Sequence, residues 1–170
     1  MAAALPSTDY RPAALIFITA DGQHWERHGA RSSRTSAFQI VRNRLAGRVW
    51  PIYKYTKHQR YMTSGLRVLF YVGGSGEFAK HLVAEATISR SSDVTDSSYS
   101  ESYIYGKYAP VPTKLLYFDD VQWYEQPINL LPLRDQLSFL SPQGQNWGIK
   151  LQGGCVAASA ADIAKLGIPT

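Results

Sequence analysis

Four clusters in this sequence have residue types and spacings that could do chemistry. His24 and His28 sit four apart in His24-Trp25-Glu26-Arg27-His28. On a helix they would share a face, as two zinc ligands can. Glu26 falls midway between them instead of in the HExxH position, and no third ligand stands near, so the pair reads as two loop or surface histidines. Gly73-Gly74-Ser75-Gly76 is glycine-rich enough to cradle a phosphate, but it lacks a GK[ST] ending and leads into a strand pattern, so it reads as a turn. Cys155 is the single cysteine. A thiol nucleophile needs a base to stabilise its thiolate, none is paired to it in the sequence, and a small buried thiol is expected. Asp119 and Asp120 are adjacent, so on a strand they would point to opposite faces and not share an ion; a turn is expected there. No metal site, catalytic group or cofactor is expected from these residues.

The aromatic residues point further. The chain has four tryptophans and eleven tyrosines, and Trp25, Trp50, Tyr53, Tyr55 and Tyr61 are interleaved with cations. From Arg27 to Arg67 there are ten basic residues and no acidic one. Residues 1–90 carry 13 Lys+Arg against 5 Asp+Glu, whereas residues 91–170 carry 5 against 8, within a formal charge of +5. A one-signed patch on a folded domain draws polyanions through counterion release. Aromatic faces stack on unpaired bases at about 1–3 kcal/mol each, although they equally serve to fill cores.

The elements that must position these residues are short. With 170 residues, 45% hydrophobic and 18% charged, the chain reads as one domain with a core of its own, neither disordered nor coiled coil. No apolar run approaches the ~20 residues of a spanning helix. Met1–Tyr10 lacks the pattern of a signal peptide, so a cytoplasmic setting is expected, with residues 1–12 a flexible tail. Ala13–Thr19 reads as a buried strand closed by Asp21-Gly22. Thr35–Ala46 reads as a helix, with Ser36 and Gln39 at capping-box spacing, Phe38, Val41 and Leu45 as its apolar stripe and Gly47 as its stop. Trp50–Tyr55, Leu66–Val72 and His81–Arg90 read as strands, the last two as a hairpin. Ser89–Ser102, with seven serines, reads as a loop. Lys114–Trp123 reads as strand, bend and strand, Leu133–Leu140 as a short helix, Trp147–Leu151 as a strand, and Ser159 to Gly167 as a capped final helix.

Gly65-Leu66-Arg67-Val68-Leu69-Phe70-Tyr71, followed by Val83-Ala84-Glu85-Ala86, resembles the EVE domain, whose pattern is Gly-Asp, a strand ending in Phe/Tyr-Tyr and then a strand with small residues. Leu133-Arg134-Asp135-Gln136-Leu137-Ser138-Phe139-Leu140, then Asn146-Trp147-Gly148, Gly153-Gly154 and Ser159 with Asp162, resembles that family's C-terminal half. Leu66 stands where the family has Asp, and Gln152 where an Arg is expected. The resemblance implies an α+β, PUA-like, mostly antiparallel β-barrel with two or three short flanking helices, related to YTH and ASCH domains. Relatives hold a flipped-out, often modified base in an aromatic-walled pocket, and some serve modification-dependent restriction systems.

The resulting expectation is a module that binds DNA or RNA and accommodates a flipped, modified base, with a nuclease or other effector as partner and no membrane. Trp25, Trp50, Tyr53, Tyr55, Tyr71, Trp123 and Trp147 are the candidates for the base pocket. Arg42, Arg44, Arg48, Lys54, Lys57 and Arg60 are the candidates for phosphate contact. The alternatives are a small-molecule binder or hydrolase of ASCH type, with Glu85 or Lys54 as acid/base, and a basic structural adaptor.

Overall fold

A computed structural model of the chain describes residues 10–25, 31–94, 99–105, 109–140 and 154–169. The strands are β1 (Ala14–Thr19), β2 (Gly22–Trp25), β3 (Arg31–Thr35), β4 (Val49–Ile52), β5 (Arg67–Val72), β6 (His81–Asp93), β7 (Lys114–Asn129) and β8 (Cys155–Ala158); the helices are α1 (Ala37–Ala46), α2 (Ser102–Tyr105) and α3 (Ala160–Lys165). Six strands form one sheet in the order β4-β7-β6-β5-β1-β8, and β2 pairs with β3. The pairing of β1 with β5 is parallel, and β5-β6, β6-β7, β4-β7 and β1-β8 are antiparallel. The α+β class holds, as a mostly antiparallel sheet bent into a half-barrel with short helices.

Two apolar layers hold the bend. β1 and β5 are almost wholly buried, because both faces of the sheet are covered where they run. Leu15, Phe17, Val68, Phe70 and Val72 face the concave side with Val41 and Leu45 of α1, Trp50 and Ile52 of β4, and Leu116 and Phe118 of β7. Ala14, Ile16, Leu69 and Tyr71 face the other side, covered by Leu130, Leu137, Leu140 and by Ile163 and Leu166 at the end of the chain. Register shifts along β6-β7 let these long strands curl until edge strand β4 faces β1 across the concave core. There Phe17 and Trp50 lie 5.5 Å apart between ring centroids.

α1 begins as its sequence predicts: Ser36 Oγ accepts from Gln39 N. A second anchor, invisible in local sequence, is Asp21, whose Oδ1 accepts from Ala37 N at 2.9 Å. The Gly73-Gly74 turn is built around that carboxylate. Gly73 N donates to Thr19 O, Gly74 has a φ of 71°, and a Cβ at Gly74 would overlap the Asp21 side chain. α3 carries the full reciprocal capping box between Ser159 and Asp162, and Gly167 follows with a φ of 72°.

Several boundaries differ from expectation. Lys54 and Tyr55 form a turn instead of prolonging β4. β6 continues through Ser91 and Ser92 to Asp93, since pairing with Leu115 and Leu116 recruits serines that composition assigns to a loop; Ser102 then opens α2. β7 runs unbroken through the expected bend, with Asp120 at a φ of 52° inside it and Asp119 paired to Thr87. The expected helix at Leu133–Leu140 is a 3-10 turn at Leu131–Leu133 followed by further turns. Trp147–Leu151 lies outside the described residues, as do residues 1–9 of the expected tail. Tyr10 and Arg11 contact Tyr61 and Thr63. No helix among the described residues is long and apolar enough to cross a membrane.

Candidate nucleic-acid interface

The edges of the sheet are β4 and β8, and beyond Phe17, where the β1-β8 ladder ends, the end of β1 lies open toward β4 across a seam. Thr113 N donates to Ile52 O and Phe118 N donates to Arg48 O, so these carbonyls point toward β7. Backbone groups alternate along a strand, which turns the Pro51 nitrogen toward the seam. Proline has no N–H to offer, so this edge lacks a pairing donor at Pro51. A cleft of about 200 Å³ remains, with Thr19 and Asp21 on the β1 side and Arg44, Trp50, Tyr53 and Thr56 opposite.

The cleft wall is a charged network. Arg44 Nε and Nη2 donate to Glu101 Oε2 and Oε1 at 2.8 and 2.7 Å, and the Tyr53 hydroxyl donates to the same Oε1 at 2.7 Å. Arg44 and Glu101 are only 7% and 1% exposed. The Arg44 guanidinium also lies 4.6 Å over the Trp50 ring. Thr19 points to the same concave side as Phe17, two residues earlier, and its hydroxyl is buried without a hydrogen-bond partner among the described residues.

A cationic loop frames the mouth. It runs from Tyr53 to Tyr61 and is held in shape by Gln59, whose Nε2 donates to the carbonyls of Tyr53, Lys54 and Thr56. Thr56 Oγ1 accepts from Tyr53 N at 3.1 Å. Lys54, Tyr55, Lys57 and Arg60 are exposed, Tyr55 to 83%. Lys54 lies over the Tyr55 ring and Arg60 over the Tyr61 ring. Burial, then the adjacent Arg60 and Lys57 charges, hold His58 below the usual histidine pKa. Among the described residues no carboxylate forms a salt bridge with Lys54, Lys57 or Arg60.

The structure therefore divides the candidate residues. Trp50 and Tyr53 share the cleft, but Trp50 is 4% exposed, with Arg44 over it and Phe70 4.9 Å away, so its faces are occupied. Tyr55 stands on the loop outside. Tyr71 belongs to the core on the other side of the sheet, where burial pushes its hydroxyl up to about 12. Trp123, 44% exposed, sits in a separate cluster with Phe38 and Phe78, beside Arg42. The Trp25 side chain and all of Trp147 lie outside what the structure describes, as does Gln152. Among the phosphate candidates, Arg42, Arg48, Lys54, Lys57 and Arg60 are exposed, whereas Arg44 is committed to Glu101. Lys54 and Glu85 are not brought together: Glu85 pairs with Arg67 and lines a different concavity. Cys155 is fully buried, and burial pushes its thiol up. Sequence reasoning missed Glu101, Thr19 and Asp21, none of which lies in a motif; Asp21 was legible only as a turn residue.

No family model matches the chain, and no curated protein matches it. Among solved structures it is similar to the N-terminal domain of Staphylothermus marinus McrB, with a TM-score of 0.45 and 13% sequence identity over 93% of this chain and 94% of that one.

Proposed function

We propose that the chain is a nucleic-acid-binding module in which the Tyr53–Tyr61 loop meets phosphates and the adjoining cleft takes one unstacked base. The observation that carries this reading is the loop: three exposed cations and an exposed tyrosine stand at the mouth of the cleft, in a stretch that contains no acidic residue. Lys54, Lys57 and Arg60 supply sequence-independent attraction, and Tyr55 supplies a stacking face. A base leaving its stack loses a few kcal/mol, which stacking and burial can return. A methyl mark adds about 0.8 kcal/mol per buried carbon, so a modified base can be selected by fit alone.

The test is a binding series with single- and double-stranded DNA and RNA, with and without single modified bases, at rising salt. The expected result is affinity that falls steeply with salt, by about 0.9 log units per phosphate contact per log unit of salt on duplex. Lys54→Ala/Lys57→Ala/Arg60→Ala should weaken every oligonucleotide alike. Absence of binding to all four nucleic acids at about 50 mM salt would end this reading.

A further inference from the structure

We infer that Glu101 decides what the cleft accepts: by cancelling the Arg44 charge inside the wall, it makes the cleft select an uncharged ring over a phosphate. This rests on the reading of the cleft as a base site. A guanidinium fork is the side chain best shaped to hold a phosphate. Arg44 lines the cleft and would, left open, make it an anion site. Glu101 occupies that fork through both oxygens and takes the Tyr53 hydroxyl as well. Two polar groups of the cleft wall are thus tied to a carboxylate that is itself 1% exposed.

Stability alone is a weak reason for such a pair, since buried ion pairs seldom outdo apolar residues of similar volume. The electrostatic consequence is sharper. With Arg44 neutralised, the cleft wall offers no open guanidinium to an anion. A phosphate entering would lose water and find the Arg44 fork, its natural partner, occupied. An uncharged ring gives up less hydration on entering and meets a lining that includes Ile18, Trp50 and Tyr53. Phosphates are left to Lys54, Lys57 and Arg60 outside. Glu101 reaches the wall from the serine-rich segment because α2 is docked beside it. Ile104 of α2 is fully buried, and a Cβ at Gly22 would overlap its Cγ2.

The experiment is an NMR titration of the labelled full chain with inorganic phosphate and, separately, with adenosine, cytidine, guanosine and uridine. In the wild type, phosphate should shift amides of residues 54–60 and leave the Trp50 indole and the Thr19 amide in place. At least one nucleoside should shift those two reporters. Glu101→Gln should admit phosphate at the Trp50 indole at least about tenfold more tightly than the wild type, the scale of one charge-assisted bond. Arg44→Gln/Glu101→Gln should lose that gain. Should Glu101→Gln fail to fold, the apolar pair Arg44→Met/Glu101→Leu, neutral by another route, should still reject phosphate and keep the nucleoside. Phosphate saturating the Trp50 reporter in the wild type, or a folded Glu101→Gln that gains no phosphate there, would overturn the inference; so would an apolar pair that admits phosphate. Failure of every nucleoside in the wild-type cleft would sink the base reading instead, and the phosphate arm would read out independently of it.

Discussion

Among the described residues two carboxylates are buried, Glu101 and Asp162, and they are satisfied by opposite means. Asp162, fully buried at the start of α3, is surrounded by neutral donors. Its Oδ1 accepts from Ser138 N at 2.7 Å, and its Oδ2 accepts from Ser138 Oγ, Ser159 N and Ser159 Oγ. Burial by itself would raise its pKa, but these four bonds to the charged form outweigh it and hold Asp162 below the usual aspartate value. Glu101 is satisfied by a cation and by hydroxyl groups, beside a cleft. The Asp162 node staples the Leu137–Leu140 turns to α3 and closes the outer core, which is an architectural task. The Glu101 node lies instead in the wall of the cleft that adjoins the cationic loop, where it pairs with Arg44 and Tyr53. A buried carboxylate ringed by dipoles points to construction, and one held against a guanidinium at a cleft points to selection.

That contrast can be broken at either end. The largest effect expected is from Glu101→Ala, which takes from the buried Arg44 the carboxylate that fills its fork and should cost about 3–5 kcal/mol in urea unfolding. Arg44→Met/Glu101→Leu should stay within about 1–2 kcal/mol of the wild type, because it removes both charges together. Equal losses in the two variants would mean that the pair matters for packing and not for charge. Asp162→Ala should cost about 2–3 kcal/mol, since it orphans the Ser138 and Ser159 amides, and it should leave oligonucleotide affinity unchanged.

Acid sharpens the comparison further. Because the folded pKa of Asp162 is depressed, its contribution to stability is fully present above the pKa of an unfolded aspartate and is lost as pH falls through the folded value. Acid unfolding followed by circular dichroism should therefore flatten in Asp162→Asn. The smallest effect concerns His58. Its folded pKa is lowered, so it is neutral at pH 7 and gains charge only below the usual histidine value. A bound phosphate would favour the charged form, so oligonucleotide affinity should rise modestly as pH falls below the ordinary histidine value, and His58→Gln should abolish that rise.

Much of the fold was legible because it is written in local chemistry. β1 and β5 are continuous apolar runs, α1 has its Ser36 cap, and α3 has Ser159 and Asp162 three apart; each signal acts over a few residues. The misjudged strand boundaries share one cause, the reach of long-range pairing. Ser91, Ser92 and the Asp119-Asp120 pair are poor strand formers taken alone, and long-range pairing between β6 and β7 overrides them. Lys54 and Tyr55 lose the strand expected of them once β4 reaches the limit of its pairing with β7, at Ile52.

The amino-acid sequence by itself determined the class of the fold, the charge asymmetry and the cations of the Tyr53–Tyr61 loop, since periodicity, composition and charge are properties of the chain before it folds. It could not say that Arg44, one of six similar candidates for phosphate contact, is sealed against a carboxylate 57 residues away. Nor could it say that Trp50 is buried, that Tyr71 faces the opposite core, or that the Thr19 hydroxyl is left without a partner among the described residues. Those outcomes depend on which face of a bent sheet a side chain meets, and that is decided only when strands distant in sequence find their register.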